Sequence, residues 1–252
     1  MKIAHLSDIH LTENGRIIWG VNTMRHFNEA ISKLSDIKDI DAIIISGDLS
    51  DDGSTWSYNY LDTAFFELGI PTYSCMGNHD SFETFPRMRF IKHTKRVLLG
   101  GWKFLILDSV IRDESEPGKN KSRGLLNEVS LNFLQMELKD SIPTAIFLHH
   151  PPIEPGGWLN RKILDNRDNF REIIMGTNVK MVAYGHIHCS LSKNIQDVLY
   201  TSAPSIGFGF DEDLPKFQIA DGTEGFNVIT FDTNNIGIKT ILLNDNSDVN
   251  LR

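Results

Sequence analysis

The sequence predicts a layered α/β fold whose functional groups gather at the carboxyl ends of its strands. Three observations carry the prediction. First, five apolar, strand-like runs each end in Asp, Asn or His. Lys2–Ser7 leads into Asp8-Ile9-His10, Asp41–Ser46 into Gly47-Asp48, and Ile70–Cys75 into Met76-Gly77-Asn78-His79-Asp80. Thr144–Leu148 leads into His149-His150-Pro151-Pro152, and Val179–Tyr184 into Gly185-His186-Ile187-His188. Continuous apolar runs are what strands buried on both faces look like, and sites in such proteins collect where the strands end. Second, helical periodicity separates the first three runs, the βαβαβ rhythm of right-handed parallel units. Third, His10, His79, His149, His150, His186 and His188, six of the nine histidines, all lie in these stretches.

In chain order, Asn22–Lys38 reads as an amphipathic helix, with Met24, Phe27, Ile31, Leu34 and Ile37 at three- and four-residue steps. His26 within it reads as a surface or packing residue. Asp51-Asp52-Gly53 is a turn, and Ser54–Leu68 a second helix with Tyr60, Ala64 and Phe65 toward the core. Ser81–His93 reads as a helix over the site, with Arg87, Arg89 and Lys92 on a solvated face. Val97–Leu99 and Trp102–Leu107 are strands joined by Gly100-Gly101. The polar stretch Arg112–Gly124 is a loop and a candidate flap. Asn127–Lys139 is a helix with Leu131, Leu134 and Leu138 inward. Pro151-Pro152 stiffens the exit from His149. Trp158, after two glycines, either stacks on a flat substrate group or packs on the protein's own surface. Asp165–Met175 is a further helix. Ser190–Ile195, Leu199–Ser202, Phe226–Phe231 and Ile236–Leu243 are strands, with a hairpin turn at Asn234-Asn235 and a Gly/Phe-rich segment at 207–210. No linker or repeat interrupts the chain, so a single domain over 1–252 is expected, with 244–252 as a frayed polar tail.

The 252 residues are 40% hydrophobic, enough for one large core or two small ones. No run reaches the roughly 18 apolar residues of a membrane span, and the short apolar stretch after Met1-Lys2 is no signal-peptide core. Cys75 and Cys189 read as reduced thiols of a cytoplasmic protein. A net charge of −8 without a Lys/Arg cluster argues against a nucleic-acid polymer as partner. Small phosphoesters remain open, as does an oligomeric state.

The residue types point to metal chemistry. Two divalent ions held close together take oxygen and imidazole ligands, with a carboxylate able to bridge. Asp8 and His10 are two apart, as are His186 and His188, so each pair projects to one side of an extended backbone. Taken in order, Asp8-x-His10, Gly47-Asp48, Gly77-Asn78-His79-Asp80, His149-x-Pro151 and Gly185-His186-x-His188 resemble the calcineurin-like metallophosphoesterase superfamily over roughly 1–204. The resemblance implies a four-layer α-β-β-α sandwich with two mostly mixed central sheets and a dinuclear centre of manganese, iron or zinc. It implies one metal on Asp8, His10, Asp48 and His188, and a second on Asp48, Asn78, His149 and His186. It further implies in-line attack of a metal-bridging hydroxide, with His79 near the leaving group and Asp80 orienting it. Substrate contacts would come from Asn78, His79, His150 and Trp158.

The superfamily's protein phosphatases carry an arginine after Gly-Asp-x-Val-Asp, and Gly47-Asp48-Leu49-Ser50-Asp51-Asp52-Gly53 has none. A monoester dianion gains more from such an arginine than a diester does, so a small diester is favoured. The paired His and Pro at 149–152, Ala203-Pro204-Ser205 and the 221–226 stretch look like the bacterial class III cyclic-nucleotide phosphodiesterases and related glycerophosphodiesterases. The alternatives are a phosphomonoesterase or nucleotide-pyrophosphate hydrolase on the same centre, and a non-catalytic metal-binding scaffold.

Overall fold

A computed structural model describes residues 1–116, 120–211, 216–232 and 235–244. In chain order the elements are β1 (Lys2–Leu6), α1 (Thr23–Asp36), β2 (Ala42–Ser46), α2 (Thr55–Leu68), β3 (Thr72–Cys75), β4 (Arg96–Leu99), β5 (Trp102–Leu107), α3 (Glu128–Glu137) and β6 (Thr144–Leu148). There follow α4 (Arg167–Ile174), β7 (Val179–Tyr184), β8 (Leu191–Ile195), β9 (Val198–Ser202), β10 (Gly209–Phe210), β11 (Ile219–Ala220), β12 (Gly225–Phe231) and β13 (Ile236–Leu242).

The strands form two large mixed sheets, ordered β13-β12-β1-β2-β3 and β4-β5-β6-β7-β9-β8, beside the small β10-β11 ribbon. β1, β2 and β3 are parallel, as are β5, β6, β7 and β9, while β12, β13, β4 and β8 run antiparallel to their neighbours. The period of two along each strand separates the faces. Ile3, Ala42 and Ile44 of the first sheet pack with Phe104, Ala145, Phe147, Met181 and Ala183 of the second. The alternate residues Ala4, Leu6, Ile43 and Ile45 pack on Phe27 and Leu34 of α1 and Leu61 and Phe65 of α2. Leu105, Leu107, Ile146, Leu148 and Val182 pack on Leu131 and Leu134 of α3 and Phe170 and Ile174 of α4. The order of layers is therefore α-β-β-α. β2 is buried along its whole length, and apolar up to Ser46, because both its faces are covered.

Helix starts follow local chemistry. Asn22, Ser54 and Asn127 each accept a hydrogen bond from the backbone N–H three residues on, satisfying a donor that the first turn leaves free. In α2 the core positions are Tyr58, Leu61 and Phe65; the expected Tyr60 and Ala64 are half-buried at its edge. His26 is buried, with Nδ1 2.8 Å from the Gly207 carbonyl oxygen, so it is a packing residue.

The helix expected over Ser81–His93 does not form. Only Phe85–Arg87 makes a single 3-10 turn, with Pro86 inside it. The N–H groups of Arg89, Phe90 and Ile91 are taken by the Asp62 carboxylate at 2.9, 2.8 and 2.8 Å. Lys92 then pairs with Tyr73 as an extra rung on β3. A side chain from α2 thus supplies the acceptors that a helix would have supplied. Phe231 and Ile236 pair across the expected hairpin, with Asp232 N–H 3.0 Å from the Asn235 oxygen; Asn234 lies outside the described residues, as does the tail from 245 onward. Both cysteines are free and buried. Among the described residues no helix is long and apolar enough to cross a membrane.

Candidate metal centre

The two sheets deliver their side chains to one place. Asp8 and His10 follow β1, Asp48 follows β2, and Asn78 and His79 follow β3. His149 and His150 follow β6, and His186 and His188 follow β7. Asp8, His10, Asp48, His186 and His188 have φ of 52, 51, 52, 71 and 52°, in the left-handed region. Such a conformation costs roughly 1–2 kcal/mol for a residue with a Cβ, and strain of this kind concentrates at functional sites. Two glycines let the loops close. A Cβ on Gly77 would lie 2.1 Å from the Asp48 N and Oδ1 atoms, and one on Gly185 would lie 1.8 Å from Ser7 Oγ.

Four imidazoles have one ring nitrogen committed to an oxygen. His149 Nδ1 lies 2.8 Å from the Ser46 carbonyl, His186 Nε2 2.7 Å from that of Ser122, and His188 Nδ1 2.6 Å from that of Phe208. His10 Nδ1 lies 3.0 Å from Asp51 Oδ1. A carbonyl oxygen only accepts, so each of these nitrogens carries its hydrogen. In the neutral ring the other nitrogen then presents a lone pair. Those lone pairs meet: His149 Nε2 and His186 Nδ1 are 3.0 Å apart, and His10 Nε2 and His188 Nε2 are 3.2 Å apart. Two facing lone pairs repel unless a cation lies with them. This donor chemistry fits metal ions, and the carbonyls fix the tautomers as outer partners of metal-bound histidines do.

The carboxylates complete two neighbouring groups. Asp8, His10, Asp48 and His188 could hold one ion. His188 Nε2 is 3.3 Å from Asp8 Oδ1, and His10 Nε2 is 3.5 Å from Asp48 Oδ2. The same Asp48 oxygen is 3.4 Å from His149 Nε2, which is also 3.1 Å from Asn78 Oδ1. Asp48 Oδ2 therefore faces both groups, while its Oδ1 accepts from the His79 N–H at 2.8 Å. Burial alone would raise the Asp48 carboxyl; the charges of His149 and His79 offset that and hold it well below the usual range. Burial would lower His149, but the Asp48 charge beside it raises it to about 9, so the place beside its Nε2 calls for a cation, and a proton fills it where no metal ion does.

The expected partner of His79 is corrected. Asp80 turns away: it accepts from the N–H groups of Leu49, Ser50 and Gly77 and from the Tyr58 hydroxyl, at 3.1, 3.1, 2.9 and 2.9 Å. It ties the β2 and β3 loops together because three backbone donors converge on it. The carboxylate that reaches the His79 ring is Asp51, 3.1 Å from Nδ1. Asp51 also holds His10, so it ties His79 to the first group. Burial would raise its carboxyl, but hydrogen bonds from His10 and His79 hold it far below the usual range. Its signal in the sequence was a carboxylate three residues after Asp48.

Two expected substrate residues are internal. His150 is fully buried, with Nδ1 2.8 Å from Ser109 Oγ and Nε2 without a partner. Trp158 is 8% exposed, donates its indole N–H to the Asp211 oxygen at 3.2 Å and packs on Phe210. Neither offers an open face. Asn78 and His79 do line an open cavity of about 530 Å3, with Asp51, Phe82 and Arg112 on its walls. The flanks of the 112–124 loop reach this region: the Asn120 amide donates to the Asp80 carbonyl at 3.0 Å, and Ser122 meets His186. Residues 117–119 lie outside the described residues.

Comparison with known proteins places this chain among phosphoesterases. Residues 1–190 match the family model for calcineurin-like phosphoesterases. The chain is 31% identical over 238 residues to a 3′,5′-cyclic-nucleotide phosphodiesterase of Nostoc sp., covering 91% of this chain and 87% of that protein. It is 27% identical over 244 residues to a probable cyclic nucleotide phosphodiesterase of Xenorhabdus bovienii, covering 92% and 96%. In fold it is similar to a dimetal phosphatase from Danio rerio, with a TM-score of 0.73, 11% identity and 96% of each chain covered.

Proposed function

This chain belongs to the calcineurin-like phosphoesterase family and is a metal-dependent phosphoester hydrolase, and from that premise we propose that it cleaves small phosphodiesters, 3′,5′-cyclic nucleotides in particular. We assign one metal to Asp8, His10, Asp48 and His188, and a second to Asp48, Asn78, His149 and His186. The observation that supports this most is the two pairs of facing imidazole nitrogens, at 3.0 and 3.2 Å, on either side of Asp48. Mixed Asp, Asn and His donors suit manganese, iron or zinc. Bound there, such ions supply positive charge for the phosphoryl oxygens and make water acidic enough to act at neutral pH.

The chain's own residues handle position and protons. The Asn78 amide and the His79 ring border the cavity where the ester enters. His79, held by Asp51, passes a proton to the leaving oxygen as the phosphorus–oxygen bond breaks and the bond from water forms. Water loses the balancing proton to solvent, and the products are an alcohol and a monoester; a cyclic substrate keeps both in one molecule. The cavity walls favour a monoanionic diester. Asp51, Asp52 and Glu83 line it with His79 and the single guanidinium of Arg112, so the chain's own side chains bring little positive charge for a second negative charge on phosphate. The relatives named as cyclic-nucleotide phosphodiesterases support the same substrate class.

The test compares bis-p-nitrophenyl phosphate with p-nitrophenyl phosphate on manganese-reconstituted protein, with Asn78→Ala as control, followed by cyclic AMP. Faster diester turnover that depends on Asn78 is expected. Preference for the monoester would replace the proposal with the phosphomonoesterase reading.

A further inference from the structure

The wall of the cavity beyond His79 carries two side chains that the reaction itself does not require. Phe82 is 38% exposed, and the Arg112 guanidinium carbon sits 4.8 Å from the centre of its ring. Both line the same cavity as Asn78 and His79. Elsewhere in the molecule Arg16, Arg25, Arg96, Arg123 and Arg167 each meet a carboxylate. Among the described residues Arg112 meets none; its contact is the aromatic face of Phe82. A guanidinium laid on a ring is pre-ordered, leaving its other face and its N–H edge for something else.

The position of this pair is fixed from both sides. Phe82 lies two residues after Asp80, whose carboxylate anchors the β2 and β3 loops. Arg112 pairs with Asn120 in a short antiparallel bridge, and the Asn120 side chain donates to the Asp80 carbonyl at 3.0 Å. The platform and the proton donor are thus parts of one hydrogen-bonded unit.

We propose that Phe82 and Arg112 form a platform for the base of a nucleoside ester, so that the enzyme selects phosphodiesters whose leaving side carries a flat, acceptor-bearing ring. This rests on the proposed phosphodiesterase reading. His79 marks the side on which the leaving oxygen departs. In a 3′,5′-cyclic nucleotide that oxygen stays joined to the nucleoside, so the base extends into the cavity that His79 borders. There a ring stacks on the Arg112–Phe82 pair, and the guanidinium N–H groups donate to its nitrogen or oxygen acceptors. Stacking of one base on such a surface is worth about 1–3 kcal/mol, on the order of ten- to a hundredfold in affinity.

The experiment uses manganese-loaded full-length protein and the variants Phe82→Ala and Arg112→Ala. It measures KM for cyclic AMP against KM for glycerophosphoethanolamine, a diester without a ring, and the dissociation constant of 5′-AMP against that of ribose 5-phosphate by calorimetry. Each variant is expected to raise the KM ratio and to erase the preference for AMP, both by about tenfold, with kcat on cyclic AMP less affected than KM. Equal weakening toward ringed and ringless compounds would assign Arg112 to the phosphoryl group and overturn the platform, as would no change. The binding arm separates the two claims. Protein that hydrolyses no diester but prefers AMP over ribose 5-phosphate, and loses that preference in the variants, would refute the phosphodiesterase reading and keep the platform.

Discussion

At the scale of single residues, the difference between Asp51 and Asp80 shows how a site divides work among neighbouring carboxylates. Both lie within a few residues of a proposed ligand, yet Asp80 is consumed by three backbone N–H groups and a phenol, while Asp51 bridges the rings of His10 and His79. Asp51→Asn keeps the shape and removes one of the two charges, with that of Asp48, that keep the proton on His79. Its kcat is expected to fall roughly ten- to a hundredfold on an alkyl diester, within the usual range for general acid catalysis, and much less on bis-p-nitrophenyl phosphate, whose leaving group needs little help from an acid. Bound metal should stay at wild-type level by atomic absorption. An equal loss on both esters would instead make Asp51 a support for His10 alone. That the proposed ligands would converge was legible in the sequence because residue type and strand end coincide. The partner of His79 was not, because adjacency in sequence favoured Asp80, and only the backbone turn shows where each carboxylate points.

At the scale of elements, the strands were legible because covering both faces leaves an unbroken apolar run, and the helices because their caps and stripes are local. The segment 81–93 is not legible in its own sequence because its structure is set from outside, by Asp62 of α2 and by the edge of β3. Its far end is pinned by His93, whose Nε2 is 2.7 Å from Asp108 Oδ2, while Asp108 Oδ1 accepts the Met76 N–H at 2.8 Å. The hydrogen bond that the His93 ring donates to Asp108 raises His93 above the ordinary histidine value, more than burial lowers it. A folded pKa above the unfolded one stabilises fully below the unfolded value, near 6.5, and the gain disappears as pH rises through the folded value. His93→Gln is therefore expected to melt below wild type at pH 6 and to converge with it as pH rises through the raised value; a gap that is constant or widens with pH would exclude the ion pair as its source. The β3 turn makes a second demand. Gly77→Ala would drive a methyl into Asp48, so it is expected to lose bound metal and diester turnover while far-ultraviolet circular dichroism stays native. Metal retained at full stoichiometry would show that the loop moves aside freely.

At the scale of the whole molecule, the proposed ligands are shared between the sheets. Asp8, His10, Asp48 and Asn78 come from the loops of β1–β3, and His149, His186 and His188 from those of β6 and β7. The apolar layer of Ile3, Ile44, Phe147 and Met181 joins the sheets along their length, but at their carboxyl ends the contact is between polar groups. There imidazole nitrogens from different loops converge to 3.0 and 3.2 Å, and five residues are held in left-handed backbone. Metal ions held by these groups would clamp both sheets together, so loading should stabilise the whole fold. At a free metal concentration a hundredfold above its dissociation constant, one site adds about 2.7 kcal/mol. For a chain of this size that raises the melting temperature by roughly 5–10 °C. Calorimetric scans with manganese and with a chelator are expected to differ by at least this much in the wild type. In His149→Ala and His188→Ala, one ligand from each proposed set, the difference should shrink while the chelated form still melts cooperatively. If chelator leaves the wild-type transition unmoved in protein shown to have carried metal, the ions do not clamp the sheets, and the left-handed strand ends are stable for another reason.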